Sequence, residues 1–406
     1  MLKNLLIKIS FVGIGNIVNA FLGLIFLAVV ARTLPVELFG KYALLTSLLV
    51  SLSKIIDFGT NSLFVSKSIS LDQDLKESFV SSKIVLFFIT IPISFLILSV
   101  FKLSDPALVL LFLIGLIAYG LNIMFFAFFQ KTEMFTHAIL LNTLPASVKG
   151  IAAFLILFKI ISPNFTQLFA IFSLSMITCV ILYVFVPLHL KLQFRKGVSI
   201  NKAFSLLKHS ISPGISLLIT NGWSALSNSI AKITKTFTDV GIFSIADKVA
   251  NVFSLISLSI FTVLLPKNAL RKRNKLSYEF KETFILSVII IIMAFFAVFI
   301  SKFFILFFIG NKYENSVLLL DTLIFSSAFT AIHVFMENYF FVEEQTHTLL
   351  VINGGKLIIF LISSLILIPI LALKGLAISQ LISSISALLL TILMIYNYHN
   401  RLKKTG

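Results

Sequence analysis

The stretch Lys267–Ile300, KNALRKRNKLSYEFKETFILSVIIIIMAFFAVFI, decides the fold. Its first part holds Lys267, Arg271, Lys272, Arg273, Lys275 and Lys281, whereas Phe284–Ile300 holds no charge at all. An apolar run of that length crosses a hydrocarbon core of roughly 30 Å as a helix. Basic residues crowded beside such a run are what the positive-inside rule leaves on the cytoplasmic face.

Outward from this stretch the same alternation repeats. Ile9–Ala31, Ile84–Phe101 and Ala107–Phe129 are further runs of spanning length, separated by short polar gaps. Lysine and arginine crowd into every second gap. The gap near Phe194 holds Lys191, Arg195, Lys196, Lys202 and Lys208, and the gaps on either side are poorer in positive charge. The pattern predicts a polytopic membrane protein.

Composition agrees. The chain has 406 residues, 58% of them hydrophobic and 12% charged, with a mean hydropathy of +1.06. A soluble domain carries about 25% charged residues. The net charge of +17 does not imply nucleic acid, because it lies in juxtamembrane gaps where topology and anionic lipid place it. The one cysteine, Cys179, sits in an apolar run and excludes a disulfide within the chain. Lys3 and Lys8 precede the first run, which is too long for a signal-peptide core and reads as a spanning helix that stays in place.

About twelve spans emerge from the hydropathy, with limits good to about two to four residues: 9–31, 42–66, 79–101, 107–129, 136–159, 165–190, 208–231, 240–265, 282–304, 315–341, 347–369 and 374–398. An even number puts both termini on one side. That side, counting Lys3, Lys8, Lys67, Lys76, Lys83, Lys131, both basic clusters, Arg401, Lys403 and Lys404, carries roughly twice the positive charge of the other, so the termini are expected in the cytoplasm. Thr33–Tyr42 and Thr236–Phe243 are weakly alike: in each a charged residue precedes a run that opens the next helix. This suggests two parallel repeats: an N-terminal six-helix lobe, 1–190, a cytoplasmic linker, 191–207, and a C-terminal six-helix lobe, 208–406.

Within the spans lie Lys54, Asp57, Lys149, Asp247, Lys248, Asp321, Glu337 and Lys356. A charge at the bilayer centre costs at least about 2.5–3.5 kcal/mol, so such residues normally face a bundle interior or a wet cavity. Lys54 and Asp57, three residues apart, share a helix face. They read either as a self-neutralising pair or as a cargo lysine beside an ion-coupling carboxylate. Lys149 and Lys356 have no acid adjacent in sequence and read either as partners of another span or as a cationic wall for an anionic cargo. Glu337 and Asp321 read as interfacial or structural. The six histidines are scattered, mostly at span ends. No phosphate loop, metal-ligand spacing or catalytic constellation appears, so neither an enzyme, a cofactor nor a metal is expected.

The opening Ala31-Arg-Thr-Leu-Pro-Val-Glu-Leu-Phe-Gly-Lys-Tyr-Ala43, with Asp57-Phe-Gly59 after it, resembles the polysaccharide-exporting branch of the multidrug/oligosaccharidyl-lipid/polysaccharide superfamily, which includes O-antigen flippases. Phe308-Ile-Gly-Asn-Lys-Tyr313 and Lys374-Gly-Leu-Ala-Ile-Ser379 are similar to members too. Members often carry Gly-Pro after the leucine at position 34, where this chain has Pro35 alone. The resemblance implies an all-α membrane protein with about twelve helices in two six-helix lobes around a central cavity. It implies movement of undecaprenyl-pyrophosphate-linked oligosaccharide across the bacterial inner membrane by alternating access. Lys54, Lys149, Lys248 and Lys356 would then offer charge to pyrophosphate or acidic sugars, since an ammonium binds without fixed planar geometry. Arg32 would meet cargo at the exit, and Asp57 would serve ion coupling. The partners expected are the lipid-linked oligosaccharide, membrane lipids and glycan polymerase or assembly proteins, with no nucleic acid. Two other readings stay open: a cation-coupled exporter of small molecules, and an integral-membrane glycan polymerase or ligase.

The charge pattern makes a topological prediction. Single cysteines at Lys196 and Lys404 should be labelled only after the cytoplasm is opened; labelling of either in intact cells would overturn the orientation.

Overall fold

The computed structural model describes residues 2–70, 74–132, 134–191, 199–251, 280–343 and 345–405. Among them the chain is helical throughout, with no strand. Part of the basic gap at 191–207, including Arg195 and Lys196, lies outside the described residues, as do most of the gap at 267–281 and the second half of the eighth span. Backbone contacts divide the chain into two compact units, Met1–Ser229 and Ile230–Gly406.

The first unit contains α1 (Leu2–Thr33), α2 (Val36–Asp57), α3 (Thr60–Ser70), α4 (Lys76–Val100), α5 (Pro106–Lys131), α6 (Phe135–Leu157), α7 (Phe165–Leu174) and α8 (Ile200–Asn221). A 3-10 stretch, Ser175–Phe185, prolongs α7. α9 (Trp223–Thr234) runs across the boundary. The second unit contains α10 (Phe237–Ala250), α11 (Phe280–Phe304), α12 (Glu314–Met336), α13 (Asn338–Val342), α14 (Thr346–Leu371) and α15 (Leu373–Thr405). Among the described residues nine helices are long and apolar enough to span a bilayer, and Val18–Thr33 is a shorter apolar one. Each falls on a run that hydropathy marks as a span.

Local chemistry sets the helix starts. Asp105 accepts hydrogen bonds from the backbone N–H of Ala107 and Leu108 at 3.0 and 3.2 Å, with Pro106 at the first helical position. Asn164 with Gln167, and Thr236 with Asp239, close reciprocal capping boxes on α7 and α10. The weakly similar segments Thr33–Tyr42 and Thr236–Phe243 both open helices, at Val36 and Phe237.

Helices packed in lipid gain little from apolar burial, so close approach and interhelical hydrogen bonds hold them together. In the first unit α1 packs on α6, α5 on α2 and α7, and α8 on α4 and α2. Phe64, Phe79 and Phe128 form its aromatic centre, with Phe64 and Phe79 stacked at 4.2 Å. In the second unit α12, α14 and α15 form the best-packed group, with α10 and α11 against α12. Among the described candidate spans, α11 with its continuation to Ile309 is the least buried, at 17% of its most apolar stretch against 67% for Val36–Val65.

The span begun by α2 is broken partway along. The interruption falls at Phe58 and Gly59, both left-handed with φ of 39° and 72°. Here α8 comes very close: a Cβ on Gly59 would lie 2.9 Å from the backbone nitrogen of Gly214, and one on Gly214 would lie 2.8 Å from the Phe58 carbonyl oxygen. Only glycine fits both sides of this contact, and a left-handed φ adds a second reason at Gly59.

Gly59→Ala and Gly214→Ala should each destabilise the purified protein by roughly 1–3 kcal/mol through overpacking. Gly23→Ala, where the added methyl meets nothing within 4 Å, should not. Thermal unfolding in detergent checks this.

Candidate functional site

Polar and charged side chains gather at two places within the spans, one in each unit. The first is at the break in α2. A helix that ends inside the membrane leaves carbonyl groups without partners, which lipid cannot satisfy. Lys83, eight residues into α4 and 4% exposed, supplies them. Its Nζ donates to Asn61 Oδ1 at 2.6 Å, to the Ile56 carbonyl at 3.2 Å and to Asp57 Oδ1 at 3.3 Å. With the Asp57 carbonyl at 3.5 Å as a fourth, longer contact, all three protons of the ammonium have acceptors. The cation also sits at the negative end of α2 and over the Phe79 ring at 4.9 Å. Asn61 is fixed in turn by donating to the Ile123 carbonyl of α5 at 2.9 Å.

This geometry corrects two sequence expectations. Asp57 pairs with Lys83 across two helices, not with Lys54 on its own, and Lys83 is a buried span residue rather than a gap residue. The ammonium of Lys54, half-buried one turn before Asp57, makes no hydrogen bond or ion pair among the described residues. The left-handed turn at Phe58 ends the helix at Asp57, so its carboxylate turns to the nearest donor that also serves the broken backbone. Counting charge by gaps hides Lys83 among the basic gap residues; its depth within the run starting near Phe79 is the signal that separates it from them.

Lys149, in the middle of α6, is half-buried with Nζ 5.0 Å from the centre of the Phe172 ring. Phe172 itself lies edge-on to Tyr42 at 6.1 Å. A ring face stabilises a cation by about 0.5–2 kcal/mol without neutralising it. No carboxylate stands within ion-pair distance of Lys149 among the described residues.

In the second unit, Asp247 is buried on α10 while Lys248 next to it is half-buried and forms no ion pair with it. Adjacent helical residues point about 100° apart, so the two do not neutralise each other. Arg32, in the last turn of α1 in the first unit, is exposed. Asp321 pairs with Lys302 at 3.4 Å, near the end of α11.

The larger cluster of the second unit lies between α12, α14 and α15. Lys356, 7% exposed, donates to Thr330 Oγ1 at 3.3 Å. Thr330 meets Ser384 at 2.9 Å, and Ser384 meets Ser326 at 2.9 Å. Glu337 accepts from Asn353 Nδ2 at 3.1 Å and lies 3.3 Å from His333 Nε2. Lys356 is close enough to act electrostatically on both Glu337 and His333. In sequence His333 is one of several scattered histidines, yet its spacing of four from Glu337 is the signature of a shared helix face.

This fold has counterparts among known proteins. The family model described as polysaccharide biosynthesis protein matches residues 5–270. Among solved structures, an inward-facing multidrug-resistance MATE family transporter of the MOP superfamily is 14% identical over 96% of each chain, with a TM-score of 0.75. The lipid II flippase MurJ in an inward closed conformation is 17% identical over 95% of this chain and 87% of its own, also with a TM-score of 0.75. A MOP superfamily transporter from Pyrococcus furiosus, described as having a binding pocket of reverse polarity, is 16% identical over 96% and 95% with a TM-score of 0.67. At such identities the likeness is one of fold: an all-α multi-pass membrane protein of the MATE and MurJ kind. No curated protein sequence matches the chain.

The Lys83–Asp57 pair makes a stability prediction. Lys83→Ala removes the cation that pairs with the Asp57 carboxylate and the side-chain donor to the Ile56 carbonyl, leaving Asp57 only the Asn61 N–H at 3.2 Å, and should destabilise by about 3–5 kcal/mol. Adding Asp57→Asn to Lys83→Met should recover part of that loss, read as thermal unfolding and membrane yield in a double-mutant cycle.

Proposed function

We propose that the chain, which belongs to the polysaccharide biosynthesis protein family, is a flippase that moves undecaprenyl-pyrophosphate-linked oligosaccharide from the cytoplasmic to the periplasmic leaflet of a bacterial inner membrane by alternating access. The fold supports transport but is common to MATE transporters and a lipid II flippase alike. The observation that favours an anionic cargo is the charge left over inside the spans. Lys54, Lys149 and Lys248 have no carboxylate within ion-pair distance among the described residues. An ammonium in a span is costly unless water or an anion receives it. A flippase brings both: a wet path for the glycan and the negative charge of the pyrophosphate, while the lipid tail stays in the bilayer. A cavity built for drug cations would present the opposite sign.

In this reading Lys149 and Lys54 are the first contacts for the headgroup in the N-terminal lobe. Lys248 and Lys356 serve in the C-terminal lobe, and Arg32 serves at the exit. Asp57, held by Lys83, is available for ion coupling only when that pair opens. Both termini face the cytoplasm, and glycan polymerase or assembly proteins take over the delivered unit. The proposed lobes are 1–190 and 208–406, joined by 191–207.

The test is deletion followed by analysis of surface glycan and lipid-linked intermediates. Loss of surface glycan with accumulation of the lipid-linked unit supports the reading; normal glycan rejects it. At matched low expression, Lys149→Ala and Lys356→Ala should each reduce surface glycan. Loss of a charge-assisted contact costs about 1.5–3 kcal/mol, roughly tenfold or more in cargo affinity. Lys149→Arg should retain more function than Lys149→Ala, because the charge stays. Wild-type export in both alanine variants would rule these lysines out.

A further inference from the structure

The cluster around His333 has a donor and acceptor count that the cargo reading does not use. Asn353 donates through Nδ2 to Glu337 Oε1 at 3.1 Å, so its Oδ1 is the atom that faces His333 Nε2 at 3.4 Å. Glu337 Oε1 lies 3.3 Å from the same ring nitrogen. Nε2 therefore faces two acceptors and carries a proton. On the other side of the ring, Nδ1 lies 2.8 Å from Thr391 Oγ1, and that hydroxyl also lies 2.8 Å from the Ala387 carbonyl. Thr391 has one proton to give. If it goes to Ala387, Nδ1 must donate, and the ring is an imidazolium beside the Glu337 carboxylate. If the hydroxyl turns to Nδ1, the ring is neutral. The two arrangements differ by one proton and one C–O rotation, and no heavy atom moves.

We propose that His333 and Glu337 form a proton-binding site in the second unit, holding one exchangeable proton against the fixed charge of Lys356. With the proton the three groups carry one net positive charge; without it they carry none. The Glu337 side chain is 12% exposed against 2% for His333, so a proton reaches the pair from its carboxylate side. Other titratable groups on the elements packed around the pair include Asp239, Asp247 and Lys248 on α10, Lys281, Glu282 and Lys302 on α11, Tyr339 on α13, His347 on α14, and Lys374, Tyr396 and Tyr398 on α15. Lys302 is engaged with Asp321, Tyr398 accepts from Gln345 at 3.5 Å, and Lys281 is exposed to solvent. The consequence for transport rests on the flippase reading. Proton uptake adds positive charge beside a span lysine, and through it a proton gradient acts on the export of an anionic headgroup.

Infrared difference spectroscopy of the purified full-length protein in lipid, titrated with pH, tests the site without any cargo. The wild type should show a pH-dependent band, either a protonated carboxyl or an imidazolium ring mode, that is lost or displaced in both Glu337→Gln and His333→Gln. In Lys356→Gln the titration should move to more alkaline pH, since removing a positive charge makes proton binding easier. This variant provides an independent reading should either of the others fail to fold. Absence of the band from the wild type, or an unchanged titration in either Glu337→Gln or His333→Gln, overturns the proposal. Surface glycan in the deletion strain separates the two ideas. A titrating band with normal glycan on deletion keeps the proton site and removes the flippase reading. A missing band with blocked export does the reverse.

Discussion

The ammonium of Lys83 is the contact on which the first unit depends. The span begun at Val36 stops at Asp57 and restarts at Thr60. In lipid a broken helix is tolerated only where neighbouring helices, side chains or ordered water satisfy the freed backbone groups. Lys83 does this with all three protons, and a carboxylate and an amide are placed to receive what the Ile56 carbonyl does not. The arrangement ties α4 to α2 and, through Asn61, to α5. The side chains of Asp57 and Asn61 turn toward Lys83, and the Phe58 ring and carbonyl are what Gly214 of α8 approaches.

The second unit meets the same cost by another route. There most of the polar atoms, Glu337 at the end of α12 excepted, belong to helix interiors and are satisfied mostly by neutral groups. Hydroxyls of Ser326, Thr330 and Ser384 pass from Lys356 toward α15, and Thr391 closes the other end at His333. A ladder of hydroxyl rotors can reverse its donors and acceptors without moving a helix, whereas the Lys83 cluster is locked by an ion pair. The two units thus store span charge in opposite ways, one fixed and one adjustable.

Much of this is legible in the sequence, and the reason is physical. Hydropathy reports burial in lipid, so every described span coincides with an apolar run, and the break at Asp57-Phe-Gly59 sits where a glycine permits a left-handed turn. Lys149 stands out because nothing near it in sequence could neutralise it, and α6 does place it on an aromatic face without a carboxylate. Pairings between helices are not legible. Asp57 has Lys54 three residues away, yet the helix ends just where that pair would form, and a lysine 26 positions distant wins. His333 and Glu337 carry the right spacing for a shared face, but only Asn353 and Thr391, from two other helices, turn that spacing into a network.

The exposed span α11 carries a vertical scale. Lys281 and Lys302 are 21 residues apart on one helix, which is about 32 Å of axial rise at 1.5 Å per residue, close to the roughly 30 Å of a hydrocarbon core. The turns beyond Lys302 then lie in the headgroup layer, and their outward residues are Phe303, Phe307 and Phe308, exposed by 76%, 74% and 54%. Two lysines set the depth, and three rings beyond one of them resist any slide of the helix toward the opposite leaflet. A membrane thinner or thicker by one helical turn would strain this span, which makes bilayer thickness itself a variable of the protein's working state.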